Sequence, residues 1–350
     1  MDRFQRIALI KPSALGDICH ALPVLTALRQ RFPDAEISWI INRVYEPLVQ
    51  GHPDLTRTIA FDRSSFRRGF GVGVSSTLSF FNELRRYRFD LVIDLQGLLR
   101  TGLMAAASGA PVRLGFAEAR EGARYFYTHR IAVPDAEQIH AVDRYWHVVE
   151  WLGAGAVEKQ FRLPISPEER SAAEAELAGL PRPWLVVAPG SRWLTKQWPA
   201  AYFAELARRA LSTVGGSIIL VGVAEDRPLS ATVATSVRGS VVDLTGKTSL
   251  PRLTAILSLA DMMIANDTGP LHLAAALGLP CIAPYTCTKT VKHGPYAVSG
   301  GGVETTVACG GSYFKRCPHQ FRCFQELTPD RLWPMLAEVL QSCCHRCRFR

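Results

Sequence analysis

The chain has 350 residues, 48% hydrophobic and 20% charged, a balance that excludes a disordered or fibrous protein and suits two ordinary domains, each with its own core. The formal net charge of +9 favours an anionic partner such as a phosphorylated ligand, an acidic membrane face or nucleic acid. No apolar run reaches the roughly 18 residues of a membrane-spanning helix, and nine cysteines, an odd number crowded towards the C-terminus, exclude a secreted framework in which every thiol is paired.

In chain order, MDRFQRIALIKP is a first strand rather than a signal peptide, which places the protein in the cytoplasm. The helix ICHALPVLTALRQRF follows, then the strands ISWII and TIAFD, a basic-aromatic stretch, and the strand FDLVIDLQG. Strands and helices in alternation imply a parallel sheet covered on both faces. The pattern restarts after the proline-flanked helix LPISPEERSAAEAELAGLPRP with WLVVAPG, PAAYFAELARRALS, SIILVGV, VVDLTG, MMIAND and CIAPY. The expected domains are 1–164, 165–327, and a C-terminal helix with a cysteine-rich tail over 328–350.

The first strand leads into KPSALGD, where a dinucleotide fold would carry G-x-G-x-x-G, and GFGVG at 69–73 follows no strand. P-loop, H-E-x-x-H, G-x-S-x-G and Asp-x-Asp signatures are also absent from the sequence. NAD chemistry, P-loop hydrolysis, zinc proteolysis, serine hydrolysis and a divalent-metal sugar-nucleotide site are thereby disfavoured.

Three segments carry candidate chemistry. In ADMMIANDTGPLHLAAALGLPCIAPY a buried strand ends at Asn266 and a helix begins near Pro270, so Asp267, Thr268, Gly269 and His272 fall at a strand's carboxyl end and a helix's first turn. Open α/β sheets bind ligands there, and the helix N-terminus favours an anion. Asp267 and Thr268 are also expected to cap the helix. VVAPGSRWLTKQWPAAYFAEL repeats this strand-loop-helix logic, and Ser191, Arg192 and Lys196 form a candidate phosphate clamp. Trp193 and Trp198 are either packing anchors or walls of a base or sugar pocket. In KPSALGDICHALPVLTALRQRF, Asp17 precedes a helix at the end of the first strand, as either an N-cap or a carboxylate that takes a proton from an acceptor hydroxyl.

The ordered set KPSALGDICHALPVLTALR, DLQGLLRTG, GFAEAREGARYFYTHRI, HAVDRY, PGSRWLTKQWP and NDTGPLHLAAALGLP resembles the bacterial lipopolysaccharide heptosyltransferases of glycosyltransferase family 9 over nearly the whole chain. The resemblance implies an α/β fold of GT-B architecture, two facing Rossmann-like domains with parallel sheets. It implies Asp17 as general base, Ser191 and Lys196 on the donor diphosphate, and Asp267, Thr268, Gly269 and His272 completing the donor site. Arg100, Arg120 and His140 are implied on the acceptor side, each equally able to be a structural pairing residue. The implied donor is ADP-L-glycero-D-manno-heptose and the implied acceptor the Kdo or heptose end of a lipid A inner core, joined by inverting transfer without metal or cofactor.

The basic-aromatic stretch interleaves Arg63, Arg67, Arg68, Arg85, Arg86 and Arg88 with Phe66, Phe70, Phe80 and Phe81. It is either a contact for the phosphorylated lipid or the anionic inner leaflet, or an ordinary solvated helix face. Nucleic acid is not expected, since no recognition motif accompanies the charge. CGGSYFKRCPHQFRCF resembles a cysteine segment of the family in which Cys309, Cys317 and Cys323 are kept and Ser312 stands where a fourth cysteine is common, which argues against a four-thiolate metal site; the terminal CCHRC adds one C-x-x-C. The competing functions are heptosyl transfer to protein hydroxyls, for which an intact cysteine set would be the sign, sugar-nucleotide epimerisation without an acceptor, and a non-catalytic nucleotide-binding module.

Overall fold

The computed structural model describes residues 4–62 and 70–347, the side chains of 70–76 and 343–347 excepted. The chain divides into two units, Met1–Pro164 and Ile165–Arg350. Unit 1 runs β1 (Arg6–Ile10), α1 (Leu15–Arg31), β2 (Glu36–Asn42), β3 (Arg57–Phe61), α2 (Phe70–Arg86), β4 (Leu91–Asp94), α3 (Leu99–Ala107), β5 (Val112–Phe116), β6 (His129–Ile131) and α4 (Ala141–Trp151). Its strands pair in parallel in the order β3-β2-β1-β4-β5-β6. RIALI, EISWIIN and LVID can occupy the middle because both of their faces are buried, as parallel sheets with helices on each side require.

Unit 2 repeats the plan with α5 (Pro167–Leu177), β7 (Trp184–Ala188), α6 (Ala200–Val214), β8 (Ser217–Leu220), α7 (Arg227–Ser236), β9 (Ser240–Asp243), α8 (Leu250–Leu259), β10 (Met262–Ala265), α9 (Gly269–Ala276), β11 (Cys281–Tyr285), α10 (Thr290–His293), β12 (Gly300–Glu304), α11 (Arg322–Glu326) and α12 (Pro329–Cys347). Its sheet runs β12-β11-β10-β7-β8-β9, the same strand order as unit 1 when each unit is counted from its own first strand. The α/β fold of two Rossmann-like units expected from the sequence is therefore the fold adopted. In each unit the order reverses between the first and fourth strands, β1 and β4 or β7 and β10. Such a switch point opens a crevice outside the carboxyl ends of the strands, where open α/β sheets take their ligands.

β5, β6 and β12 were not expected. VRLGF starts half-buried with an arginine, HRI has three residues, and GGGVE is mostly glycine, so none shows the apolar run of an inner strand. GFGVG runs into α2. In that helix Phe80 and Leu84 join the unit 1 core with Ile10, Ile40, Phe61 and Val92, and Phe81 packs against it. These two phenylalanines thus face protein rather than membrane, while Arg85, Arg86 and Arg88 are exposed. Arg63, Phe66, Arg67 and Arg68, and the side chain of Phe70, lie outside the described residues.

The segment after residue 327 is an integral part of unit 2. Leu332, Leu336, Val339 and Leu340 of α12 lie in one core with Val187, Phe203, Leu206, Ile218, Ile264 and Ile282. Among the described residues no helix is long and apolar enough to cross a membrane. Truncating a buried leucine removes its contacts and leaves a cavity, so Leu336→Ala, at a position with no solvent exposure, is expected to destabilise unit 2 by about 2–5 kcal/mol in urea unfolding. A loss under about 1 kcal/mol would mean the helix is dispensable to the core.

Candidate functional site

At the switch point of unit 2, β10 ends and Asn266, Asp267 and Thr268 turn the chain into α9. Asn266 is fully buried and spans the point: its Oδ1 accepts the Trp198 N–H at 3.1 Å, and its Nδ2 donates to the carbonyls of Pro189 at 2.8 Å and Gly190 at 3.3 Å. The loop after β7 is thereby fixed against the end of β10. Asp267, 4% exposed, receives Lys196 Nζ on Oδ2 at 2.6 Å, Thr288 Oγ1 on Oδ2 at 2.7 Å and His272 Nε2 on Oδ1 at 3.1 Å. Burial pushes its carboxyl up, but the His272 hydrogen bond and the Lys196 and His272 charges outweigh this and hold it far below the ordinary carboxylate range. Asp267 is an ionised anchor, with too little proton affinity to be a base at neutral pH.

The capping expectation needs correction. Thr268 is the N-cap of α9, yet its side chain makes no cap bond; its hydroxyl donates back to the Asn266 carbonyl at 3.2 Å, and the Asp267 carboxylate is taken by Lys196, Thr288 and His272. The first turn, with Gly269 and Pro270, thus begins without a side-chain cap, as an anion-binding helix end does. Ser191 and Arg192 sit on the same loop as Lys196, Ser191 half-buried and Arg192 exposed. Trp198 is a packing anchor, fully buried, with its indole N–H on the Leu327 carbonyl at 2.7 Å. Trp193 is half-buried, with Lys196 Nζ 5.0 Å from its ring centroid. A Cβ at Gly190 would meet the Asp226 carboxyl group at 2.1 Å, so Asp226, beyond the end of β8, lies directly against this loop.

At the switch point of unit 1, Asp17 is the third residue of α1 and not its N-cap, because the helix starts at Leu15; its Oδ2 accepts the Ala14 N–H at 3.1 Å. From Leu15 to Leu28 every other residue is buried, whereas the Asp17 side chain is 37% exposed. Lys11, the first residue after β1, is buried with Nζ 3.8 Å from Asp17 Oδ2 and 5.1 Å from the centre of the Tyr145 ring. Burial lowers its ammonium pKa, but the charges and hydrogen bond of Asp17, Tyr145 and Asp94 reverse this and raise it, so Lys11 stays charged.

The implied acceptor-side residues follow neighbouring strands. His140 is buried, caps α4 by accepting the Val142 N–H at 3.1 Å, and meets His20 edge to face at 5.0 Å. It thus caps one helix and packs on His20, which lies one turn of α1 beyond Asp17. Arg100 lies in the first turn of α3, after β4, and Arg120 is exposed after β5, with its N–H on the Gly97 carbonyl at 2.9 Å. The two loops are thus pinned together. Asp94 underlies them: its Oδ1 accepts the Gln96 and Gly97 N–H groups and its Oδ2 the Tyr127 hydroxyl at 2.7 Å. Gly115 makes this possible, since a Cβ there would lie 2.2 Å from the Tyr127 ring.

Lys11, Tyr145, Thr288 and Asp226 were not singled out from the sequence. A lysine straight after a buried strand is a signal for Lys11; nothing in TCTKT distinguishes Thr288, because its role depends on where β11 lies. Among the described residues, no three His, Cys, Asp or Glu side chains are grouped to hold a metal ion. Cys317 Sγ accepts the N–H groups of His319 at 3.4 Å and Phe321 at 3.2 Å, and burial, with Cys317, Cys309 and Cys287 nearby, pushes the Cys323 thiol up to about 11. The CCHRC side chains lie outside the described residues.

Residues 77–320 match the family model of glycosyltransferase family 9 (heptosyltransferase). The chain belongs to that family. It is 30% identical, across 96% of its own length and 98% of the relative's, to lipopolysaccharide heptosyltransferase 1 of Pseudomonas aeruginosa. Among solved structures it superposes on the glycosyl transferase family 9 protein of Veillonella parvula with a TM-score of 0.86 at 23% identity, covering 98% of this chain and 99% of that one. It superposes on the E. coli heptosyltransferase WaaC with ADP-2-deoxy-2-fluoro heptose with a TM-score of 0.70 at 24% identity, covering 95% and 99%. The protein is a glycosyltransferase.

A carboxylate whose folded pKa is depressed binds its proton less readily than in the unfolded chain. Its stabilisation is complete above the unfolded value of about 4 and is lost as the pH falls below it towards the folded value. Asp267 is such a group. Urea unfolding between pH 6 and pH 3 is therefore expected to show a stability difference between wild type and Asp267→Asn that narrows as the pH falls; a difference independent of pH would contradict the ionised anchor.

Proposed function

We propose that this glycosyltransferase moves heptose from ADP-L-glycero-D-manno-heptose to the Kdo or heptose inner core of lipopolysaccharide, with inversion and without metal. The observation that carries the reading is the Lys196–Asp267–His272 cluster at the unit 2 switch point, in a chain that matches a lipopolysaccharide heptosyltransferase over nearly its full length. Lys196, Ser191, Arg192 and the uncapped start of α9, with Thr268 and Gly269, hold the donor diphosphate. Asp267 and His272 position the donor, and Asp226, in the turn that follows the second strand of its unit, is the candidate for a ribose hydroxyl, which Rossmann folds bind with an acidic residue beyond that strand.

Unit 1 supplies the base. Asp17 takes the proton of the acceptor hydroxyl as that oxygen bonds to the anomeric carbon; the bond from that carbon to the donor phosphate breaks, and its electron pair leaves with ADP. Arg100 and Arg120 hold the acid groups of the acceptor, with His140 supporting α4 behind them. Cations and helix N–H groups offset the charge growing on ADP, the task a divalent ion performs in Asp-x-Asp enzymes. We propose a cytoplasmic location at the anionic inner membrane, supported by exposed Arg85, Arg86 and Arg88 on and beside α2.

The deciding experiment offers the purified protein a panel of ADP- and UDP-sugars with Kdo-lipid A and reads nucleotide release by mass spectrometry. Acceptor-dependent ADP release from ADP-heptose, unchanged by EDTA, is expected; release only from UDP-sugars, or dependence on added metal, would sink the heptose or metal-free assignment respectively. Asp17→Asn is expected to lower kcat by about 10²–10⁴-fold with donor affinity kept. Retained turnover would move the base elsewhere.

A further inference from the structure

The donor loop gathers more positive charge than its carboxylate can balance. Lys196 is committed to Asp267 at 2.6 Å, so the pair is neutral overall. A nucleoside diphosphate sugar carries about two negative charges at neutral pH, and the departing nucleoside diphosphate gains a further one as the bond to the sugar breaks. Neutral pairing at Lys196 leaves Arg192 and the start of α9 to meet that growing charge, and a further cation would help to balance it.

A second ammonium stands beside the same indole. Lys315 Nζ lies 5.3 Å from the centroid of the Trp193 ring, which also has Lys196 Nζ at 5.0 Å. Lys315 forms no ion pair among the described residues, and its contact with Trp193 is a cation–π one. Its placement follows from the chain before it. The Tyr313 N–H donates to the Cys287 carbonyl at 2.8 Å, and Cys287 precedes Thr288, whose hydroxyl is bonded to Asp267. Two residues earlier the backbone at Gly311 passes so close to Lys289 that a Cβ would lie 2.3 Å from its side chain. The segment that carries Lys315 is thus attached to the loop that supports Asp267. Two ammonium groups gathered at one indole raise the local positive potential, which favours an anion beside them.

We propose that Lys315 is a donor-binding residue whose charge pairs with the terminal phosphate of the nucleoside diphosphate and stabilises it as leaving group. This rests on the nucleotide-sugar reading above. Lys196 fixes Asp267 and reaches the diphosphate from one side of the loop; Lys315, held on Trp193, supplies a further charge that grows in value as the sugar–phosphate bond breaks.

The test is calorimetric binding of ADP and of AMP to the full-length protein, which isolates the terminal phosphate, with kcat for donor turnover measured in parallel. Lys315→Ala is expected to weaken ADP by about ten- to a hundred-fold, the worth of one charge-assisted hydrogen bond, to leave AMP affinity and Tm unchanged, and to lower kcat; Lys315→Arg is expected to restore most of each. Equal effects on ADP and AMP, or none on either, would overturn the role. A wild-type protein that binds ADP no better than AMP would instead remove the diphosphate site itself, and the nucleotide-sugar reading with it.

Discussion

The buried carboxylate of Asp267 is the constraint on which unit 2 depends. A nearly inaccessible anion is costly unless each of its oxygens is paired, and here the partners come from three separate places: Lys196 after β7, His272 in α9 and Thr288 after β11. Satisfying one carboxylate therefore fixes three loops at the carboxyl edge of the sheet. Asn266, one residue earlier, extends the tie to Trp198, Pro189 and Gly190. The loop that carries Lys196 is consequently held by the protein's own contacts, and for the proposed donor site such preorganisation lowers the cost of reorganisation at the moment of reaction.

Unit 1 uses a comparable buried carboxylate for scaffolding. Asp94 is fully buried, and its oxygens are filled by Tyr127, Gln96 and Gly97. Burial raises its pKa and these hydrogen bonds only partly offset the rise, in contrast with Asp267, which has an ammonium at 2.6 Å. Its effect is on shape: it holds the turn after β4, which the N–H of Arg120 then meets. The HAVDRY segment behaves alike, with His140 capping α4, Asp143 on Lys159, Arg144 on Glu118 and Tyr145 beside Lys11. A segment that carries the resemblance in the sequence is thus largely structural.

What could be read from the sequence follows from what is local. β1, β2, β4, β7, β8, β10 and β11 announce themselves as apolar runs, and the turn at Asp267 as strand, Asn-Asp-Thr-Gly and helix, because burial on both faces of a sheet and the chemistry of helix starts leave local traces. β12 does not, since GGGVE gains its strand character only from pairing with β11. Thr288 is equally silent, and so is Asp226, whose proximity to Gly190 is a consequence of which strands are neighbours. The Asp17 ambiguity shows the same limit: a shift of three residues in where α1 starts turns a supposed N-cap into the third residue of the helix, partly exposed in an otherwise buried turn.

Neither unit carries the glycine fingerprint that lets a backbone cradle a pyrophosphate, and each places a lysine and an aspartate at its switch point instead. The two pairs are arranged in opposite senses. In unit 1 the lysine side chain is 3% exposed and the aspartate 37%, whereas in unit 2 the lysine is 18% exposed and the aspartate 4%. The first therefore offers solvent a carboxylate backed by a buried cation, and the second an ammonium backed by a buried anion. The proposed transfer needs those two presentations: a carboxylate to receive the proton of the acceptor hydroxyl, and a positive surface to receive the charge that departs with the nucleotide. In the proposed transfer, one strand order, used twice, serves opposite ends of a displacement because burial decides which member of the ion pair is shown.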